Sequence, residues 1–541
     1  MKDLAPDAVL LNGQIYTLDA SNPVVRAAAV KDGRFVALGA DTQIESMAGA
    51  STRRLHLDGR TVIPGIFDSH AHLQEVGLKL AAIRLDECQS AEDMMELVRE
   101  RAQETPPGTW IIGMGWNEGN FTHGQLPTCH DIDPATDEHP VLLQRFFNTD
   151  VVNSYALRLA NITRRTLDPE GGRIERDASG DPNGLLRASA KLLVRSLVPQ
   201  PTVKELAEAI RLGCLEFNQY GITSVVDPGL MPYEMRAYQT YYQDSGLTVR
   251  MNLMPSWHGF REHETEEQLD YRARELGIHS GLGDEWLRIG GLKMALDGGT
   301  SSRTALMYEP FEGETRIADY NRISPHNLRR YLTAAQELCW DVGIHICGDR
   351  AMDIAVDALA DIARTVPRAD ARHNIIHAYF PSDHALEQMA TYNIGAVIQP
   401  TFIYWEGDLI FRDVGQERAA NYKPARKYLD RGIVVTASSD IPSTVSANPY
   451  VALYALVTRK NNLNHYIARD QAMTREEALR AYTLSGTWLT REAHLKGTIQ
   501  VGKLADLAVL DRDYFSIPDE EIRDIQVEMT MVGGDVVWER S

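Results

Sequence analysis

Short apolar runs alternate with amphipathic stretches through the middle of the chain, and the two ends are patterned differently. Residues 8–17 (AVLLNGQIYT), 25–39 (VRAAAVKDGRFVALG) and 52–64 read as short strands joined by Asn-Gly and Asp-Gly turns. Near the C-terminus, LADLAVLDRD and VEMTMVGGDVVWE read the same way, with a Gly-Gly turn. Neither end is large enough to form its own core. They are therefore expected to close into one small β-sandwich, with 1–61 and 496–541 as its two parts and the middle of the chain inserted between them.

The middle predicts eight strands: 62–72 (VIPGIFDSHAH is its apolar core and end), 221–229, 247–255, 287–298, 342–349, 373–380, 395–400 and 432–440. They are rich in Val and Ile without alternating, as parallel strands covered on both faces are. Amphipathic stretches such as VKELAEAIRLGCLEFNQY (203–220) and PHNLRRYLTAAQELCW (325–340) lie between them. Eight strand–helix units predict an α/β fold of the (β/α)8 TIM-barrel type, with a doubly wound open sheet as the alternative. The first barrel strand falls in 62–84 and the rest of the barrel in 201–495. The span 85–200 fits no barrel unit and reads as an insertion at the barrel mouth, with a hairpin turn in GGRIERDASGDPNG.

Composition narrows the function classes. With 55 Lys and Arg against 75 Asp and Glu, the net charge is −20. A surface this acidic repels phosphate backbones and anionic lipid heads, which excludes nucleic acid and membranes as expected partners. The expected partner is a small-molecule substrate, with self-association into a homo-oligomer left open. No signal peptide and no run of 18 apolar residues is evident. The five cysteines, Cys88, Cys129, Cys214, Cys339 and Cys347, are scattered and lack CxxC spacing. They read as free thiols in a reducing cytoplasm.

Catalytic groups in a barrel sit where strands end. The first predicted strand ends in D-S-H-A-H, and His70 and His72, two apart, point to one face. GIHICGD offers His345, NIIHAYF offers His377 and VVTASSD offers Asp440. Each alone is an ordinary polar group closing a strand; four strands ending this way point to one site. Imidazole with carboxylate suits zinc, and also iron, manganese or nickel. Lys293 lies among apolar neighbours in GGLKMALDG, where a lysine is expected to be paired, neutral or modified. A salt bridge to Asp297 is the plain reading, and a carboxylated lysine bridging two metals the sharper one.

These residues resemble the amidohydrolase superfamily, and within it the group usually called YtcJ-like or amidohydrolase family 3. The resemblance runs nearly end to end through TVIPGIFDSHAH, LKMALDGGTSSRTA, HICGDRA, the His377 strand, GAVIQP, SSDIP and GTIQVGKLADLAVLD. It implies one or two divalent ions, zinc first among them. His70 and His72 would bind the more buried ion, a carboxylated Lys293 would bridge, and His345 and His377 would bind the second. Asp440 would contact metal and act as general base, with His345 assisting at the oxyanion. Asn148 stands where relatives often carry a histidine.

The resemblance implies hydrolysis of a C–N bond in an amide, formamide or N-acyl compound. Deamination of a heterocycle, ester or lactone hydrolysis and an inactive scaffold are the alternatives. Trp116 and Phe121 in the insertion, Trp257 and His258 after the third strand, and Phe402, Tyr404 and Trp405 after the seventh are candidates to line an apolar substrate pocket. Ordinary packing explains them equally well.

Overall fold

Thr61–Pro64 and Ile66–Asp68 are neighbours in sequence yet enter different sheets. The computed structural model describes residues 5–116, 126–145, 149–169, 172–258, 277–318 and 322–540, without the side chains of Ala188 and His258. In it, Thr61–Pro64 pairs with Gln14–Tyr16 and Leu507–Leu510. Ile66–Asp68 instead starts a parallel sheet. Gly65 makes the switch: a Cβ there would lie 2.2 Å from Thr223 Oγ1, so a side chain would hold the two elements apart. The single strand expected over 62–72 is therefore two strands.

The chain packs as two units, Met1–Leu73 with Cys214–Ser541, and Gln74–Gly213. The first unit holds the barrel. Its strands are β1 (Ile66–Asp68), β2 (Ile222–Leu230), β3 (Arg250–His258), β4 (Leu292–Ala295), β5 (Val342–Ile346), β6 (Asn374–His377), β7 (Gly395–Ile398) and β8 (Val435–Ala437). Each is parallel to the next. Three hydrogen bonds bring the ring round from β8 to β1: Ser69 N to Ala437 O (3.3 Å), Asp440 N to His70 O (2.8 Å) and His72 N to Ile441 O (2.9 Å). An open doubly wound sheet has no such link, so the architecture is the barrel. The expected strand 287–298 is interrupted at Gly290–Gly291, and Leu287–Ile289 pairs separately with β3.

Helices cover the outside. They include α1 (Pro232–Asp244), α2 (Pro325–Glu337), α3 (Asp349–Thr365), α4 (Asp383–Thr391), α5 (Pro400–Ala419, broken at Gly415) and α6 (Pro449–Thr458). Ser324 and Ser382 cap the starts of α2 and α4 by accepting backbone N–H bonds. On α3 the buried residues Met352, Ala355, Val356, Leu359 and Ile362 recur every three or four positions, the stripe that a sheet-covering helix needs. β6 and β7 are buried at every position, which is why they read as unbroken apolar runs. Each such Val or Ile stabilises the fold by roughly 1.5–3 kcal/mol.

The two chain ends meet as expected. One sheet runs Arg34–Gly39, Ala27–Lys31, Ala8–Leu11, Arg53–His56; the other runs Asp535–Glu539, Val527–Val532, Leu507–Leu510, Thr61–Pro64, Gln14–Tyr16, Val24–Val25. Both contribute to one core, with Leu10 and Phe35 packed in the same cluster as Val62, Leu507 and Met531. Arg250 at the start of β3 anchors this core to the barrel through a bidentate pair with buried Asp506 (2.7 and 2.9 Å).

The second unit is built on a six-stranded mixed sheet, ordered Gly172–Arg176, Pro182–Ala188, Thr149–Val152, Val141–Arg145, Ile111–Trp116, Ile83–Arg84. The hairpin expected in GGRIERDASGDPNG is the antiparallel pair at one edge of it.

Candidate metal centre

β1 ends at Asp68, and the chain then bends at Ser69 and His70. Ala71 N donates to Val226 O (3.0 Å), which ties the segment to β2. His70 and His72 both turn towards Asp440. Asp440 arrives three residues beyond β8 and binds His70 O through its own N–H. The ligand-type atoms of His70, His72 and Asp440 all lie within 4.8 Å of one another. Asp440 Oδ1 is 3.3 Å from His70 Nε2 and 3.4 Å from His72 Nε2. Lys293, on β4 in register with Ser256 and Gly343, places Nζ 3.4 Å from His70 Nε2.

His345 and His377 lie beside this cluster. Their imidazoles are 4.3 Å apart, and His377 is 5.7 Å from His70, centroid to centroid. His345 Nε2 lies 3.2 Å from Gly298 O, a pure acceptor, so that nitrogen carries the proton and Nδ1 keeps the lone pair. His377 Nδ1 lies 2.9 Å from Gln399 Oε1. His377 and Asp440 both hold left-handed backbone (φ 75° and 57°), strain of the kind that concentrates at functional sites.

Burial sets the charges. It pushes His70 down to about 3, with the Lys293 charge adding to the effect, and does the same to His345. Burial and then His345 hold His377 well below its usual value. The three imidazoles are therefore neutral, the form that ligates. Burial alone would raise Asp440, but hydrogen bonds from His70 and His72 reverse this and hold it well below the carboxylate range. Burial pushes Lys293 down to about 7 against the pull of Asp440. Asp297, the partner in the plain reading of Lys293, accepts backbone N–H bonds from Leu306, Cys347 and Gly348 at 2.7–3.0 Å.

Two imidazoles and a carboxylate so placed fit a divalent ion by donor type and spacing. His70 Nδ1 is buried without a hydrogen-bond partner, so that ring is held through Nε2 alone. A second trio, Cys129, His130 and Asp133, has similar spacing. There both Asp133 oxygens already accept from Ser154, its N–H and its hydroxyl.

The aromatic candidates divide by burial. Trp116 is 0% exposed in the core of the second unit and donates its indole N–H to Leu143 O (3.0 Å). Trp257 is 2% exposed and packs against Tyr331. Both sit as packing residues, the alternative weighed above. Tyr404, half-buried beside Trp405 and Tyr454, keeps surface to offer. Phe402 sits 6.5 Å from the His377 ring. Phe121, Asn148 and the His258 side chain lie outside the described residues.

Four polar residues around the site were not singled out from the sequence. Asp68 accepts from Ser439 N (3.1 Å) and His70 N (3.2 Å), tying the two ligand loops together. Asp297, named there only as a partner for Lys293, organises the loops after β4 and β5. Gln399 closes β7 and signals itself as His377 and Asp440 do, by a polar residue ending an apolar run. Lys423 had no local signal.

The amidohydrolase family model matches residues 55–538. The chain is 29% identical to the protein LONG AFTER FAR-RED 3 of Arabidopsis thaliana, over 99% of this chain and 94% of that one. It is 27% identical to an N-substituted formamide deformylase of Arthrobacter pascens, over 99% of each. Among solved structures, an uncharacterized metal-dependent hydrolase from Pyrococcus furiosus superposes with a TM-score of 0.77 at 27% identity, over 94% of this chain and all of that one. Among the described residues no helix is long and apolar enough to cross a membrane. A barrel whose strand ends bring His70, His72, Asp440 and Lys293 together, matched along nearly its whole length, belongs to the amidohydrolase family of metal-dependent hydrolases.

Proposed function

We propose that this chain hydrolyses a C–N bond of a small molecule, in an amide, formamide or N-acyl compound, with one or two divalent ions, zinc first among them. The convergence of His70, His72 and Asp440 within 4.8 Å carries the reading. Those three would hold one ion, and a carboxylated Lys293 with His345 and His377 would hold a second. An ion held there would supply a water of pKa lowered towards ~7 and a Lewis acid for the substrate carbonyl. Asp440, held ionised by its histidine contacts, takes the proton of the attacking water and returns it to the leaving nitrogen. The name of the Arthrobacter relative makes N-substituted formamides the first compounds to try.

The test is metal analysis of the purified protein followed by a screen of formamides, N-acyl amino acids, cyclic amides and aminoheterocycles. Turnover of a member of the first three groups is the expected result, and turnover of aminoheterocycles alone would overturn it. Asp440→Asn keeps shape and an oxygen donor but loses basicity. Its turnover should fall at least ~100-fold, the lower end of general acid–base contributions; near-normal turnover would assign the base to another residue.

Tyr404 is proposed to shape the substrate pocket, since it keeps exposed surface where Trp116 and Trp257 are buried. Tyr404→Ala should shift the preference among N-substituents while metal content stays constant. Competition between two substrates of different bulk reads this out, and an unchanged preference with lowered thermal stability would return Tyr404 to packing.

A further inference from the structure

We infer that Gln399 and Lys423 are positioning residues that hold His377 as its Nδ1–H tautomer, leaving the Nε2 lone pair for an ion. The argument is one of donors and acceptors. Gln399 is fully buried at the end of β7. Its Nε2 lies 3.3 Å from Val397 O and 3.2 Å from Ser438 Oγ. A carbonyl only accepts, and Ser438 Oγ uses its own proton on Ile398 O (3.1 Å). The amide NH2 must therefore face these two groups, which removes the ambiguity that ordinarily attends a glutamine amide. Oε1 then faces the other way, towards His377 Nδ1 (2.9 Å) and Lys423 Nζ (3.1 Å). That oxygen can only accept, so Nδ1 carries the proton and the neutral ring keeps its lone pair on Nε2.

Lys423 locks this arrangement from behind. It is 0% exposed, a costly place for an amine unless its protons are placed. Here they meet Gln399 Oε1, His377 O (3.4 Å) and the face of Tyr379, 3.8 Å from its centroid. The bond to His377 O also braces a residue whose backbone is left-handed. Lys423 is itself held. Its N–H donates to Tyr379 O (2.8 Å). Arg459, fully buried at the end of α6, donates to Lys423 O (3.2 Å) and Tyr422 O (2.8 Å). A continuous polar chain thus runs from Arg459 through Lys423 and Gln399 to His377. Packing alone needs none of these atoms, because a methionine or leucine would fill the same space.

The consequence for an ion rests on the reading of His377 as a ligand proposed above; the tautomer does not. The experiment has one arm for each. In metal-free wild-type protein labelled with 15N-histidine, assigned by loss of the signal in His377→Asn, Nδ1 of His377 should be the protonated nitrogen. An Nε2–H tautomer overturns the proposal. Zinc affinity is then measured by competition with a chromophoric chelator, alongside thermal melting of each metal-free variant. Gln399→Leu should bind the ion that His377 holds about 10- to 100-fold more weakly. Gln399→Glu, which accepts the same proton, should stay within a few-fold of wild type, and Lys423→Met should fall between. Equal losses in Gln399→Leu and Gln399→Glu, or no loss in either, overturn the proposal. Should Gln399→Leu fail to fold, the retained affinity of Gln399→Glu and the tautomer decide it. Absence of zinc binding in the wild type would overturn the metal reading instead, and the 15N spectrum would still decide the tautomer.

Discussion

His70→Ala is expected to abolish turnover and to lower bound metal while leaving the barrel folded. The side chain is 1% exposed and is the hub of the cluster, within 3.4 Å of both Asp440 and Lys293. Removing it takes away one imidazole and leaves Asp440 and Lys293 facing a small void. The structural work of residue 70 is done by its backbone, however. Its N–H donates to Asp68 Oδ1 (3.2 Å) and its carbonyl accepts from Asp440 N (2.8 Å). Alanine keeps both bonds, so the stability cost should stay within the ordinary range of about 0.5–3 kcal/mol. His72→Ala should act in the same direction. Elemental analysis, turnover and a thermal melt on the same preparation check this. Full activity with full metal occupancy in purified His70→Ala would place the site elsewhere.

Lys293→Ala is expected to lose activity as completely, for a different reason. Lys293 is 2% exposed on a strand buried at every position, and the Asp440 charge acts against the effect of that burial. A bare ammonium is costly there. Burial brings the amine down to about 7, so a large neutral fraction exists near neutral pH, and only the neutral amine adds to CO2. That addition forms an N–C bond and releases one proton, leaving an anionic carbamate with two oxygens. Two closely spaced cations need such an anionic bridge between them. Lys293→Ala should therefore be rescued in part by a short carboxylic acid, which supplies the missing oxygens. Reconstitution of metal-free wild type should require bicarbonate as well as metal. A high-resolution map of the active, metal-bound protein with an unmodified Lys293 turned away from the ion would sink the carbamate and leave a single-metal mechanism.

Much of this candidate site was legible from residue types alone, because its donor-type residues close apolar strands. A histidine or aspartate ending a Val- and Ile-rich run is a local event in the sequence. His70, His72, His345, His377 and Asp440 all announced themselves in this way, as the eight strands and the two terminal sheets did by their patterning. Aromatic residues did not separate so readily. Trp116, Trp257 and Tyr404 look alike in sequence, because a ring that packs and a ring that lines a pocket are equally apolar. Their exposure, decided by what the chain folds against them, is what tells them apart.

The sequence by itself therefore determined the barrel, the joining of the two ends into one sandwich and the donor-type residues that close the barrel's strands. Each depends on side-chain chemistry repeated at short range. Tertiary structure alone decided how the parts meet. Asp68 and Ser439 are 371 positions apart and hydrogen-bonded, which brings the first and last ligand loops together. Gly65 divides one apolar run between two sheets because Thr223 packs against it. Asp297 takes three backbone N–H groups because the loops after β4 and β5 fold over it. Lys423 sits in an unpatterned loop, in left-handed backbone, and becomes a buried partner of Gln399 only when Arg459 fastens that loop beneath β6 and β7. No local pattern encodes such a contact, because burial and hydrogen-bond partners are properties of the packed chain.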